Sequence, residues 1–176
     1  MSSGIPFVRE LKFEYGRVDQ ITPLIRRVVA ENAGPFTFHG TGTYIIGHGK
    51  VAVIDPGPLL DSHIHALMNA LAGETVTHIL ITHTHRDHSP AAQPLKEATG
   101  SPVYAYGPHT LGSTWADNDP SETLGGDMDF EPDYLISDGD LITGPDWTIK
   151  AVHTPGHTNN HLCFALIEES VFFFER

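Results

Sequence analysis

A lone cysteine, Cys163, rules out an intrachain disulfide. Long apolar runs are missing too, so no stretch reaches the ~18 residues of a membrane-spanning helix. Basic residues are scarce. Ten Lys and Arg stand against 22 Asp and Glu, a net charge of −12 that repels nucleic acid at long range. That charge does not exclude an RNA substrate, because bound divalent cations reverse the sign locally. The opening MSSGIPFVRELKFEYG carries acidic groups and no apolar h-region, so it does not read as a signal peptide. A cytoplasmic protein is therefore expected.

The 176 residues suit one domain, and a hydrophobic fraction of 40% suits an ordinary globular core. No internal repeat or low-complexity tract is present. The first 30 residues are an N-terminal lead-in, with one or two strands expected before residue 38. GTYII (42–46) and VAVID (51–55) flank the turn signal Gly47-His48-Gly49-Lys50 and predict a hairpin. A helix follows, capped by Asp61 or Ser62, with Ile64, Leu67, Met68 and Leu71 on one face and Gly73 as its stop. THILIT (77–82) reads as a buried strand, 89–100 as a helix ended by Gly100, and 102–107 as a strand. The stretch 112–134 is acidic and loop-like. A hairpin is then expected from YLIS (134–137), across Asp138-Gly139-Asp140, to WTIKAVHT (147–154). HLCFALIEE and VFFF are the last strands. Alternating strands and helices between terminal hairpins predict an α/β (α+β) chain with sheets layered between helices.

Twelve histidines are many, and their placement is uneven. Thr82-His83-Thr84-His85-Arg86-Asp87-His88-Ser89-Pro90 joins a predicted strand to a predicted helix. Sites in layered α/β proteins gather at such strand ends. Four potential ligands in six residues cannot point one way from a regular element, but in a loop they can converge. Imidazole offers neutral nitrogen and aspartate a hard anionic oxygen. The spacing permits two adjacent ions, His83 and His85 on one, Asp87 and His88 on the other. Thr154-Pro155-Gly156-His157-Thr158 is a tight turn that would present His157 as a third nitrogen beside His83 and His85. Asp55, in Ile54-Asp55-Pro56-Gly57, either fixes the tautomer of a ligating imidazole or simply starts a turn.

Together these elements resemble the metallo-β-lactamase superfamily, whose hallmark is H-x-H-x-D-H. The likeness runs from about Gly34 to about Glu169. Asn32-Ala33-Gly34-Pro35, Gly40-Thr41-Gly42-Thr43-Tyr44, the IDPG turn and TPGHT followed by His161 look like the β-lactamase-like protein 2 subgroup. That subgroup includes a mitochondrial endoribonuclease. The resemblance implies an αββα sandwich and a zinc-dependent hydrolase using one or two ions. It implies that His83, His85 and His157 hold one zinc, and that Asp87 and His88 begin a second site. Asp87 would also orient the attacking hydroxide, the catalytic role, and Asp55 would support a ligand from behind. A nitrogen at His85, where the flavodiiron branch has a carboxylate, favours zinc and hydrolysis.

The family completes its second site with a bridging aspartate and a final histidine. Laid on this chain, the bridging position falls at Arg176, with Glu175 the conceivable substitute. The chain is therefore expected to be a truncated or frame-shifted product with an incomplete C-terminal half and exposed apolar surface there. Its substrate is expected to be a small ester, thioester, lactone or β-lactam, with an RNA phosphodiester also open and no membrane partner. The competing expectation is a catalytically incomplete metal-binding fragment holding at most one zinc; an interaction module has no supporting motif.

The remaining residues carry plainer expectations. His63 and His65 fall on different helix faces and are expected at the surface or helix end. His39, His48, His78, His109 and His153 are expected to lack convergent partners. His161 follows PGHT by a few residues and either lies near the site or, the favoured expectation, is structural within its strand. Cys163 is expected as a small buried hydrophobe, Arg86 as solvated or paired within its loop, and GTGTY as a hairpin lead-in.

Overall fold

The computed structural model describes residues 12–109 and 125–174. Most of the acidic stretch 112–134 lies outside the described residues, as do Glu175 and Arg176. Strands β1 (Val18–Gln20) and β2 (Ile25–Val29) are followed by β3 (Gly42–Ile46) and β4 (Lys50–Ile54), then α1 (Asp61–Ala70) and β5 (Thr75–Leu80). Next come α2 (Ala92–Thr99), β6 (Val103–Ala105), β7 (Tyr134–Leu135), β8 (Leu141–Thr143) and β9 (Thr148–His153). Strands β10 (Leu162–Leu166) and β11 (Val171–Phe173) close the series.

Two sheets form: seven strands in the order β1 to β7, and four in the order β11-β10-β9-β8. The β3–β4 hairpin forms as expected, with Gly47 at φ +85° and Gly49 at φ +70° supplying its turn. Strands β4, β5 and β6 are parallel, so α1 and α2 are their crossovers. One apolar layer fills the space between the sheets, with Ile54, Leu80, Trp147, Ile149 and Phe164 at its centre. A second, including Val53, Leu67, Ile79, Ile81 and Leu95, lies between the large sheet and both helices. Strands covered on both faces read as continuous hydrophobic runs, which is why VAVI and HILI show no alternation. The described residues thus build a helix layer and two sheet layers, a mixed α/β fold.

Four expectations change. No side chain caps α1; its N-cap is Leu60, so neither Asp61 nor Ser62 plays that part. The hairpin placed over 134–154 is really β8 with β9, while Tyr134–Leu135 extends the large sheet beside β6. The loop between them lets the chain switch sheets, a choice long-range packing makes. His63 is buried, because the helix starts at Asp61 and sets positions 63, 67 and 71 on its inner face. Its Nε2 meets the Thr43 hydroxyl at 2.9 Å. Cys163 is only half-buried and lies 3.2 Å from the Thr154 hydroxyl.

Candidate metal centre

The ends of three connections meet at one edge of the two sheets. Asp55 follows β4, residues 81–91 follow β5, and residues 154–161 join β9 to β10. Strand ends of parallel β4 and β5 are adjacent by pairing, and the Leu162 amide donates to the Thr82 carbonyl at 2.7 Å, stitching the sheets together. This stitch carries the Pro155-Gly156-His157 turn onto the His83–His88 loop.

His83, His85 and His157 converge, with one nitrogen of each within 4.8 Å of the others. His83 Nε2 and His85 Nδ1 stand 3.1 Å apart, close enough for both to reach one ion through bonds of about 2.0–2.1 Å. Ring centroids of His157 lie 4.9 Å from His83 and 4.7 Å from His85. His83 is buried, His85 half-buried and His157 exposed, so the cluster opens to solvent on one side.

Hydrogen-bond accounting sets the His83 tautomer. The Thr82 hydroxyl lies 2.7 Å from Asp55 Oδ2 and 3.0 Å from His83 Nδ1. A carboxylate only accepts, so the single hydroxyl proton goes to Asp55. His83 Nδ1 must then be the donor to Thr82, which leaves the Nε2 lone pair facing the cluster. Asp55 also accepts the Thr82 amide at 2.8 Å and His88 Nδ1 at 3.0 Å. It sits at φ +49°, a conformation Asp tolerates better than most residues. Of the two readings of Asp55, the structure shows hydrogen bonds to an imidazole as well as a turn.

His88 is buried between two carboxylates. Its Nε2 is 3.2 Å from Asp87 Oδ2, opposite the Asp55 contact. Its ring centroid is 4.3 Å from that of His83. All five expected ligands, His83, His85, Asp87, His88 and His157, therefore line one edge, with Asp55 behind His88.

Electrostatics divide these imidazoles. Burial, then the neighbouring His88, His85, His157 and His161, push His83 well below the ordinary histidine value. Burial first and His157 second bring His85 down to about 4. Both are therefore neutral donors at pH 7, as metal binding requires. Burial also works against a charged His88, but Asp55 and Asp87 outweigh it and raise its pKa to about 10. Burial opposes the Asp87 carboxylate as well, and the His88 hydrogen bond and charge still hold it below its usual value. The Asp55–His88–Asp87 array thus calls for a cation, met by a proton or by a metal. Among the described residues His85 Nε2 is buried without a partner.

Several supporting residues carry no motif. Thr84, fully buried, is 2.9 Å from His109 Nδ1 and accepts from Asn160 Nδ2 at 2.8 Å. His109 therefore has partners after all, and its ring lies 6.2 Å from His85. The Asp127 amide donates to the Thr84 carbonyl, and Ser89 donates to Asp127 Oδ2 at 2.6 Å. Arg86 does pair within its surroundings, through Gly125 and Gly126 carbonyls. His161 precedes β10 rather than lying in it; its ring is buried 5.3 Å from His83, with Nδ1 at 2.8 Å from the Thr154 hydroxyl. The one sequence signal for this scaffold was the alternation of small hydroxyl residues with histidine in Thr82-His83-Thr84-His85.

A fold of two stacked sheets with a histidine-rich loop at one edge defines a metal-binding α/β class. The sequence profile of the metallo-beta-lactamase superfamily matches residues 37–174, and the chain belongs to that superfamily. It is 34% identical over 164 residues to an atrochrysone carboxyl ACP thioesterase of Claviceps purpurea, covering 89% of this chain and 46% of that protein. It is 33% identical over 159 residues to the lactamase-like protein ptaB of Pestalotiopsis fici, covering 89% and 45%. The chain thus spans less than half the length of these relatives. They do not single out the β-lactamase-like protein 2 subgroup. Among solved structures, the class B3 di-zinc enzyme LRA-12 from an Alaskan soil metagenome superposes with a TM-score of 0.64 at 22% identity, over 85% of this chain and 56% of that one. At that identity the likeness concerns the fold.

Among the described residues, no helix is long and apolar enough to cross a membrane.

Proposed function

We propose that this chain forms the metal-holding part of a thioester hydrolase. The observation that carries the reading is the convergence of His83, His85 and His157, one nitrogen of each within 4.8 Å of the others. Three nitrogen donors around an open position match a catalytic zinc site. A bound zinc supplies Lewis acidity and makes water acidic enough to react near neutral pH. His83 presents Nε2 because Thr82 and Asp55 hold its other nitrogen. Asp87, half-buried beside His88, would ligate a metal and accept a hydrogen bond from the attacking water, orienting it toward an acyl carbon. His88 and Asp87 can share a second ion, so one ion is held tightly and a second more weakly.

Thioesters are favoured over the other bonds because relatives of this chain bear thioesterase names. The β-lactamase-like protein 2 resemblance brings RNA into range, but a net charge of −12 makes a polyanion the poorer substrate.

The test is release of free thiol from short acyl-N-acetylcysteamine thioesters by the purified chain. Turnover that rises with added zinc and vanishes in EDTA supports the reading. No zinc-dependent thiol release, or faster cleavage of β-lactams or RNA under the same conditions, refutes it.

A further inference from the structure

We propose that Asn160 is a positioning residue, whose buried amide sets His157 at the distance from His83 and His85 that one metal ion requires. The proposal rests on those three histidines holding a metal, and not on the thioester reading.

The turn that carries His157 needs such a fastening. Gly156 and His157 are exposed at its tip. Within it, the Gly156 amide donates to the Thr158 carbonyl at 3.1 Å and the Thr154 amide to the His161 carbonyl at 2.9 Å. Those bonds shape the turn without fixing where it points. The Leu162 amide, bonded to the Thr82 carbonyl, pins the base of the turn rather than its tip.

Both ends of the Asn160 amide are used. Its Oδ1 accepts from the Thr158 hydroxyl at 2.8 Å, and Thr158 directly follows His157. Its Nδ2 donates to the Thr84 hydroxyl oxygen at 2.8 Å, and Thr84 lies between His83 and His85. Nδ2 also faces the Gly107 and Pro108 carbonyls at 3.3 and 3.2 Å. Carbonyls only accept, so the amide can sit only this way round. One planar group thus spans from the neighbour of His157 to the residue between the other two candidate ligands. Water cannot take its place, because Thr84 is 0%, Thr158 3% and Asn160 4% exposed.

The two ends depend on Asn160 unequally. Thr84 is also held by His109 Nδ1 at 2.9 Å and, through its carbonyl, by the Asp127 amide at 2.8 Å. His83 and His85 therefore keep their places without Asn160. The exposed turn does not have that second support from Thr84, so losing the amide costs the metal the His157 nitrogen and leaves the other two.

The experiment is a double-mutant cycle on zinc affinity, read by competition with a chromophoric chelator at no more than one equivalent of zinc. Asn160→Leu removes both hydrogen-bonding ends without changing charge, and is expected to weaken zinc about 10–100-fold. In a His157→Ala background the same change is expected to alter the affinity by less than about twofold. An equal loss in both backgrounds means a general structural role and overturns the proposal, as does wild-type affinity in Asn160→Leu. Circular dichroism in EDTA shows whether each variant is folded. If Asn160→Leu is not, Thr84→Val tests the same bond from its other end. It must weaken zinc in the wild-type background and not in His157→Ala, and Thr84→Ser, which keeps the hydroxyl, must restore the affinity; failure of either overturns the proposal. Wild type that binds no zinc overturns the metal reading and this proposal together. Wild type that binds zinc yet releases no thiol overturns only the hydrolase reading.

Discussion

Replacing Asp55 by alanine removes the hub of the loop that carries the candidate metal ligands. Three donors lose their acceptor at once: the Thr82 amide, the Thr82 hydroxyl and His88 Nδ1. Asp55 is 6% exposed and Thr82 2%, so water cannot take over without the loop opening. Each orphaned buried donor costs about 1–3 kcal/mol, and stranding one member of a buried ion pair costs about 3–5 kcal/mol. These overlap, because His88 can shed its proton once Asp55 is gone. A net loss of about 3–5 kcal/mol follows. Alanine at φ +49° adds about 1 kcal/mol. For a chain of this size that is a fall in Tm of roughly 10–20 °C. Circular dichroism melts of wild type, Asp55→Ala and Asp55→Asn in EDTA read it without metal. Asparagine keeps the backbone tolerance and one acceptor, so it should lie between the two. A loss under about 1 kcal/mol for Asp55→Ala would refute the account of Asp55 as the hub.

Further predictions follow from the same geometry. His157→Ala removes one of three nitrogens and should weaken zinc binding about a hundredfold, measured by competition with a chromophoric chelator, since a four-ligand site draws on about 10–16 kcal/mol. His63 has a pKa pushed down to about 4 by burial, against 6.5 when unfolded. The unfolded chain therefore binds the extra proton, and this stability is full above pH 6.5 and lost as pH falls toward 4, about 3 kcal/mol in all. Urea unfolding at several pH values should show that fall shrinking in His63→Gln; an unchanged slope would remove His63 from the account. Gly47→Ala would set a Cβ 2.2 Å from Trp147 Cδ1 at a φ of +85°. It should cost about 2–4 kcal/mol, seen as a lower urea midpoint and a shifted tryptophan emission, and a neutral result would contradict the tight packing of the β3–β4 turn on Trp147.

By itself the sequence laid out the candidate metal donors. His83, His85, Asp87 and His88 are local to one loop, so their spacing is visible before any folding is considered. The β3–β4 hairpin and both crossover helices were equally legible, because glycine turns and apolar runs act over a few residues. The Pro155-Gly156 turn announced His157 but not its distance from His83. Only the tertiary structure decided that distance, through the Leu162–Thr82 bond between sheets. It also decided which residues hold the candidate ligands in place. Thr82, Thr84 and Asn160 are ordinary side chains until burial removes water and makes each hydroxyl or amide take a protein partner. Sequence spacing records what neighbours along the chain can do; burial and long-range contact decide what a polar group must do.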